Sequence, residues 1–229
     1  MIKAVIFDLD DTLISEKEYI RSGFKVVSDK ISSDFNLDAK YIYEIIYSEF
    51  EVDSKNVFNR TLDKLEVEYE MEYIKELINT YRNHTPNIKL HDDAKYIIEK
   101  LYSKGIKLGI ITDGYAITQR NKLNVLNIEK YFEHIIVTDE LGREYWKPHK
   151  KSYELMKLKL NLGYEEMIYV GDNISKDFVT ANKLCMHTVM INREDGVYSN
   201  LKFGCAPNRR KVFLTIQGWI WMPSQISSG

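Results

Sequence analysis

Five short stretches of the chain are apolar almost without interruption: residues 4–7, 107–111, 134–137, 167–170 and 187–191. Runs that are continuous rather than alternating predict strands buried on both faces, as in a parallel sheet. Between the later runs the apolar positions recur at helical spacing. Ala94, Ile97, Ile98 and Leu101 fall at i, i+3, i+4 and i+7, and Gly105 supplies a stop just before the second run. Residues 117–126, 150–160 and 177–184 predict three further helices. Strand and helix in alternation predict right-handed βαβ units, and so an α/β, Rossmann-like parallel-sheet core.

The segment 15–87 breaks this rhythm. It has no strand-like run and no proline before Pro86, and its Tyr, Ile, Glu and Lys residues predict helices over 19–31, 39–50, 56–65 and 72–81. One crossover needs one helix, not four. The expectation is therefore a core of residues 1–14 and 88–192 carrying an inserted all-helical cap, 15–87. Residues 193–229 form a C-terminal extension of a different kind. No acidic residue follows Asp195, while Lys202, Arg209, Arg210 and Lys211 are basic and Trp219 and Trp221 fall close together. An edge strand, an oligomer contact and an extended tail all fit it.

Composition narrows the class. Of the 229 residues 44% are apolar and 29% charged, which permits a sizeable core, and the formal net charge is −2. Near-neutrality offers no electrostatic footprint for nucleic acid or an anionic membrane, so neither is expected as a partner. No apolar run is long enough to span a bilayer. The N-terminal run reads as a buried strand rather than a signal peptide. Cys185 and Cys205 are too few for a disulfide framework and read as structural thiols, and the expected location is cytoplasmic.

Four places carry candidate chemistry. Asp8 and Asp10 lie in Asp8-Leu9-Asp10-Asp11-Thr12-Leu13, directly after the first strand. Open α/β sheets bind ligands at the carboxyl ends of their strands, where one aspartate could attack phosphorus and another handle a proton. Turns and helix N-caps use the same residues. Thr112, Asp113 and Gly114 end the second strand, offering a hydroxyl and a backbone turn to an oxyanion, or a plain strand-to-helix turn. Lys147, before Pro148, is a point cation for phosphate or an ordinary surface lysine. Asp172, Asn173 and Asp177 leave the fourth strand with oxygen ligands suited to Mg²⁺, or with a turn and a helix start. Each is modest alone, but in this order all would converge on one crevice.

That order resembles the haloacid dehalogenase superfamily, whose four motifs are matched over about residues 1–192. The resemblance implies a nucleophilic Asp8 that becomes an aspartyl phosphate, and Asp10 as the acid and base. It implies Thr112, Asp113 and Lys147 as phosphate-holding residues, and Asp8, Asp10 and Asp172 as the Mg²⁺ site. Thr12, Gly114, Asn173 and Asp177 would support them. Asp10 favours phosphoester chemistry, because the dehalogenases and phosphonate-cleaving members lack an aspartate there. The function implied is a Mg²⁺-dependent phosphatase acting on a small-molecule phosphate monoester, as a monomer or homodimer. A sugar phosphomutase and a non-catalytic phosphate-binding regulatory module are the alternatives. Arg21, Lys25 and Tyr19 in the cap are candidates for leaving-group contact, or members of a solvated face. Two departures stand out: relatives commonly have glycine at the position of Cys185, and the tail beyond Arg193 lacks their acidic strand-and-helix ending.

Overall fold

The computed structural model describes residues 1–193, Gly196 and the backbone of residues 212–213. Cys205, Trp219, Trp221 and the basic tail residues lie outside the described residues. In chain order the elements are β1 (Ala4–Phe7), α1 (Glu16–Phe35), α2 (Ala39–Val52), α3 (Val57–Lys64), α4 (Met71–Asn83), α5 (Asp92–Ser103) and β2 (Lys107–Thr112). There follow α6 (Ala116–Leu126), β3 (His134–Val137), α7 (Lys151–Leu160), β4 (Met167–Gly171), α8 (Val179–Lys183), β5 (His187–Met190) and the two-residue β6 (Val212–Phe213). Among the described residues no helix is long and apolar enough to cross a membrane.

All five expected strands form, and with β6 they make one sheet in the order β3-β2-β1-β4-β5-β6. Every pairing is parallel. β1 lies centrally and all four of its residues are fully buried, which is why it reads as Ala-Val-Ile-Phe. One face of the sheet meets Tyr153, Met156 and Leu160 of α7, which pack against Ile6, Ile111 and Tyr169. β5 departs from expectation, since its residues are exposed or only half-buried. His187 and Thr188 supply polar side chains to this strand away from the sheet centre.

The chain separates into two compact units, one of residues 1–17 with the chain from Lys89 onward, the other Glu18–Ile88. In the second unit Phe24 meets Phe50, Phe58 and Tyr81 around a core that includes Ile31, Ile42, Ile46, Leu62 and Leu77. Arg60 ties α3 to the end of α2: its Nε lies 2.6 Å from Glu49 Oε2, and its Nη2 donates to the Glu49 and Asp53 carbonyls. A guanidinium on the last carbonyls of a helix satisfies acceptors the helix cannot and complements its dipole. Tyr19 is buried here, its hydroxyl donating to the Tyr81 carbonyl at 3.2 Å. Arg21 stacks over Tyr47, and Lys25 is exposed.

The expected helix over 177–184 forms in two parts, a π-turn over Ile174–Phe178 followed by α8. The wider turn brings Asp177 fully inside. Cys185 follows with φ +64, a left-handed conformation, and its thiol is exposed rather than buried as a structural thiol would be. This is the position after a helix where glycine avoids the Cβ penalty. Cys185→Gly is expected to stabilise by roughly 0.5–1 kcal/mol, which thermal melts would register as a rise of about 1–4 °C. A lower melting temperature would show that the strain is relieved elsewhere.

Candidate active site

Parallel register brings the candidate residues to one edge of the sheet. Phe7 is aligned with Ile110 on one side and Val170 on the other, and Thr112 with Val137. The next residues along each strand, Asp8, Asp113, Thr138 and Asp172, therefore leave the same carboxyl edge. The Asp8 amide donates to the Val170 carbonyl at 2.8 Å, which fixes where its side chain starts.

Lys147, read from sequence as a phosphate contact, is buried and holds carboxylates. Its Nζ donates to Asp8 Oδ1 and Asp177 Oδ1, each at 2.7 Å, and to Tyr169 Oη at 3.2 Å. Those three partners match the three protons of an ammonium. Burial alone would lower the Lys147 pKa, but Asp177 and Asp8 outweigh it and hold the group well above an ordinary lysine. Asp177 is committed at both oxygens, since its Oδ2 accepts from the Asn173 amide at 2.9 Å. Gly171 makes room for it: a Cβ there would lie 2.5 Å from Asp177 Oδ2. Asn173 caps the π-turn, accepting from the Ser175 amide and hydroxyl.

Asp8, Asp172 and Asp177 each bring a carboxylate oxygen within 4.8 Å of the others. Lys147 pairs with two of them, Asp8 and Asp177, so three clustered carboxylates have one ammonium bonded to two of their number. Asp8 is pushed up to about 8 and Asp172 to about 9, by burial first; Lys147 opposes this at both, while Asp177 and Asp10 reinforce it at Asp8, and Asp8, Asp177 and Asp11 reinforce it at Asp172. Carboxyls this reluctant to ionise together form a site short of positive charge, which a divalent cation with oxygen preference would correct. The residues present thus fit a metal ion.

Asp10 was expected in that cluster, but its side chain turns elsewhere. Lys122 Nζ reaches its Oδ1 at 2.6 Å and Gln119 Nε2 its Oδ2 at 2.9 Å. Gln119 Nε2 also donates to Thr112 Oγ1. Asp113 is likewise redirected: its Oδ1 accepts from Thr138 Oγ1 at 2.6 Å and from the Lys147 amide at 3.1 Å. Its side chain therefore braces two loops. Gly114 follows with φ +124 and lies against the Gln119 side chain. Thr12 is fully buried, its amide directed to the Leu9 carbonyl in the tight turn after β1.

Five residues of this site escaped the sequence reading. Gln119 and Lys122 share one helical face with Leu123, so the available signal was two polar residues on the side of α6 expected to be apolar. Tyr169 lies inside an apolar strand and looks like core. Arg193, assigned to the extension, is buried, donates from Nη2 to the Thr12 carbonyl at 2.7 Å and pairs with Asp93 at 2.9 Å. Glu16, at the start of α1, is pushed up to about 7 by burial and by Asp10.

Residues 5–191 match the model of the haloacid dehalogenase-like hydrolase family, and the chain belongs to that family. It is 31% identical over 211 residues to the glyceraldehyde 3-phosphate phosphatase of Methanocaldococcus jannaschii, covering 87% of this chain and 92% of that protein. It is 26% identical over 197 residues to the pyrophosphatase PpaX of Oceanobacillus iheyensis, covering 83% of each. Among solved structures it resembles a HAD phosphatase from Thermococcus onnurineus with a TM-score of 0.59 and 26% identity, covering 94% of both chains.

Proposed function

We propose that this protein is a Mg²⁺-dependent phosphatase that hydrolyses a small phosphate monoester through an aspartyl phosphate on Asp8. The observation that carries the reading is the buried Asp8 carboxylate, oriented by Lys147 at 2.7 Å beside the acidic pair Asp172 and Asp177. Asp8 Oδ attacks phosphorus as the bond to the leaving oxygen breaks, and Asp10 gives that oxygen its proton. Water then forms the new bond to phosphorus as the Asp8–phosphorus bond breaks, returning a proton to Asp10. The proton cycle closes, and one difficult displacement becomes two easier ones. Asp8 and Asp172 would hold the Mg²⁺, whose charge offsets repulsion between the carboxylate and the phosphoryl group. Thr112 would meet a phosphoryl oxygen, and Lys147, held against Asp8, offsets negative charge at the attacking carboxylate. The names of the relatives support a three-carbon aldehyde phosphate as substrate, with inorganic pyrophosphate as the second candidate.

Phosphate release from a panel containing glyceraldehyde 3-phosphate, pyrophosphate and other small esters, with Mg²⁺ and with EDTA, tests this. Release that needs Mg²⁺ supports the reading; release unaffected by EDTA overturns the metal requirement, and no release from any ester overturns the phosphatase.

A pH dependence follows from the raised carboxyls. In the metal-free fold Asp8 and Asp172 keep protons between the ordinary value of 3.8 and about 8 to 9, where unfolded carboxyls have lost them. The folded state then binds more protons, so its stability falls as pH rises through that window. The same carboxyls release those protons on binding Mg²⁺, so affinity rises with pH. Thermal melts should show the gap between Mg²⁺ and EDTA samples widening from mildly acid to mildly alkaline pH. A constant gap would remove these two carboxyls from the site.

A further inference from the structure

Asp10 is the only proton-transferring group in the mechanism above, and the bonds that hold its side chain among the described residues come from outside its own segment. The fixing comes from one turn of α6. Lys122 and Gln119, three residues apart, each place a donor on a different oxygen of the same carboxylate, at 2.6 and 2.9 Å. Both donors are 1–2% exposed, whereas the Asp10 side chain retains 19% exposure. A lysine ammonium buried on a helix facing the sheet is costly unless paired, and the Asp10 carboxylate pairs with this one while Glu16 also feels its charge. The Gln119 amide does two things at once, because the same Nε2 meets Thr112 Oγ1. The Asp10 carboxylate accepts only, so it sets the amide orientation with Nε2 pointing inward, and Oε1 is left without a hydrogen-bond partner among the described residues.

We propose that Gln119 and Lys122 are the positioning residues of the acid/base step, holding both oxygens of Asp10 and tying it to the Thr112 hydroxyl. The inference rests on the reading of Asp10 as acid and base. With both oxygens clamped, the carboxyl loses its rotational freedom and is delivered to the leaving oxygen and then to the attacking water in one geometry. Displacements near 1 Å cost such a step about 100-fold.

A role in proton delivery predicts a dependence on the leaving group that a merely structural role does not. A good leaving group needs no proton, and a poor one does. We would measure kcat/KM for substituted phenyl phosphates running from p-nitrophenyl to p-methoxyphenyl in wild type, Lys122→Met, Lys122→Arg, Gln119→Leu and Asp10→Asn. The expected result is a loss of roughly 10- to 100-fold on p-methoxyphenyl phosphate for Lys122→Met and Gln119→Leu, with less than about 3-fold on p-nitrophenyl phosphate. Lys122→Arg should recover part of the loss. Equal losses on all esters in both variants, with Asp10→Asn still selective, would overturn the proposal and leave the acid/base reading standing. An Asp10→Asn profile with no selectivity would overturn that reading itself. Gln119→Leu introduces no charge and keeps a good helix former, so it decides the matter if Lys122→Met does not fold.

Discussion

Asp8→Asn is expected to reduce turnover by at least about 10⁴-fold, while the protein folds and melts at the wild-type temperature or above it. The amide has nearly the shape of the carboxylate but no anionic oxygen to attack phosphorus. Stability is spared for a separate reason. Asp8 is one of two carboxylates on one buried ammonium, with Asp172 close by, and burial first raises it to about 8. The amide is uncharged without having to take up a proton, so the cost of burying an acid there is removed, and Lys147 keeps its 2.7 Å bond to Asp177. A group kept for activity at the expense of stability is common where charges are gathered for catalysis. Phosphate release and a thermal melt on the same sample check both halves. Normal activity in the folded variant would remove Asp8 as nucleophile, and a large drop in melting temperature would show that its carboxylate stabilises the fold.

Lys147→Ala is expected to damage activity and stability together. The ammonium is 2% exposed and lies between Asp8 and Asp177, the latter fully buried. Removing it leaves two buried carboxylates with no cation and Tyr169 Oη without its donor. Breaking a buried ion pair from one side costs about 3–5 kcal/mol, which corresponds to roughly 6–20 °C in a chain of this size. kcat/KM should fall as well, by several kcal/mol of lost transition-state stabilisation, about 10²- to 10³-fold. Melting temperature against pH separates the two causes. The variant should lose stability more steeply than wild type as pH rises, because Asp8 has lost the cation that opposes its raised pKa. Wild-type kcat/KM in the variant would take Lys147 out of the site.

Much of the core was legible in the residues because the signals are local. β1 and β3 occupy the expected residues, and β2 and β4 run one residue further. A buried parallel strand needs an uninterrupted apolar run, and that requirement is written within four to six residues. The same locality placed Asp8, Thr112 and Asp172 at strand ends, since parallel pairing sends the ends of β1, β2 and β4 to one edge. β5 was harder to read because its run includes His187 and Thr188, and its burial depends on what lies beside it. The π-turn at Ile174–Phe178 left no periodic trace, being set by where Asp177 must point.

What the chain's own order determined is therefore the set of strands, the helical character of the inserted segment and the identity of the carboxylates after β1 and β4. Tertiary structure alone decided which groups those carboxylates face. Lys147 meets Asp8 across 139 positions, Lys122 meets Asp10 across 112, and Arg193 meets Thr12 across 181. No window of sequence contains both members of such a pair, and a lysine or glutamine looks the same whether solvent or a buried carboxylate awaits it. Asp10 and Asp113 show the consequence: their residue types fit several roles, and the neighbours brought by folding selected a clamped carboxylate for one and a brace between loops for the other.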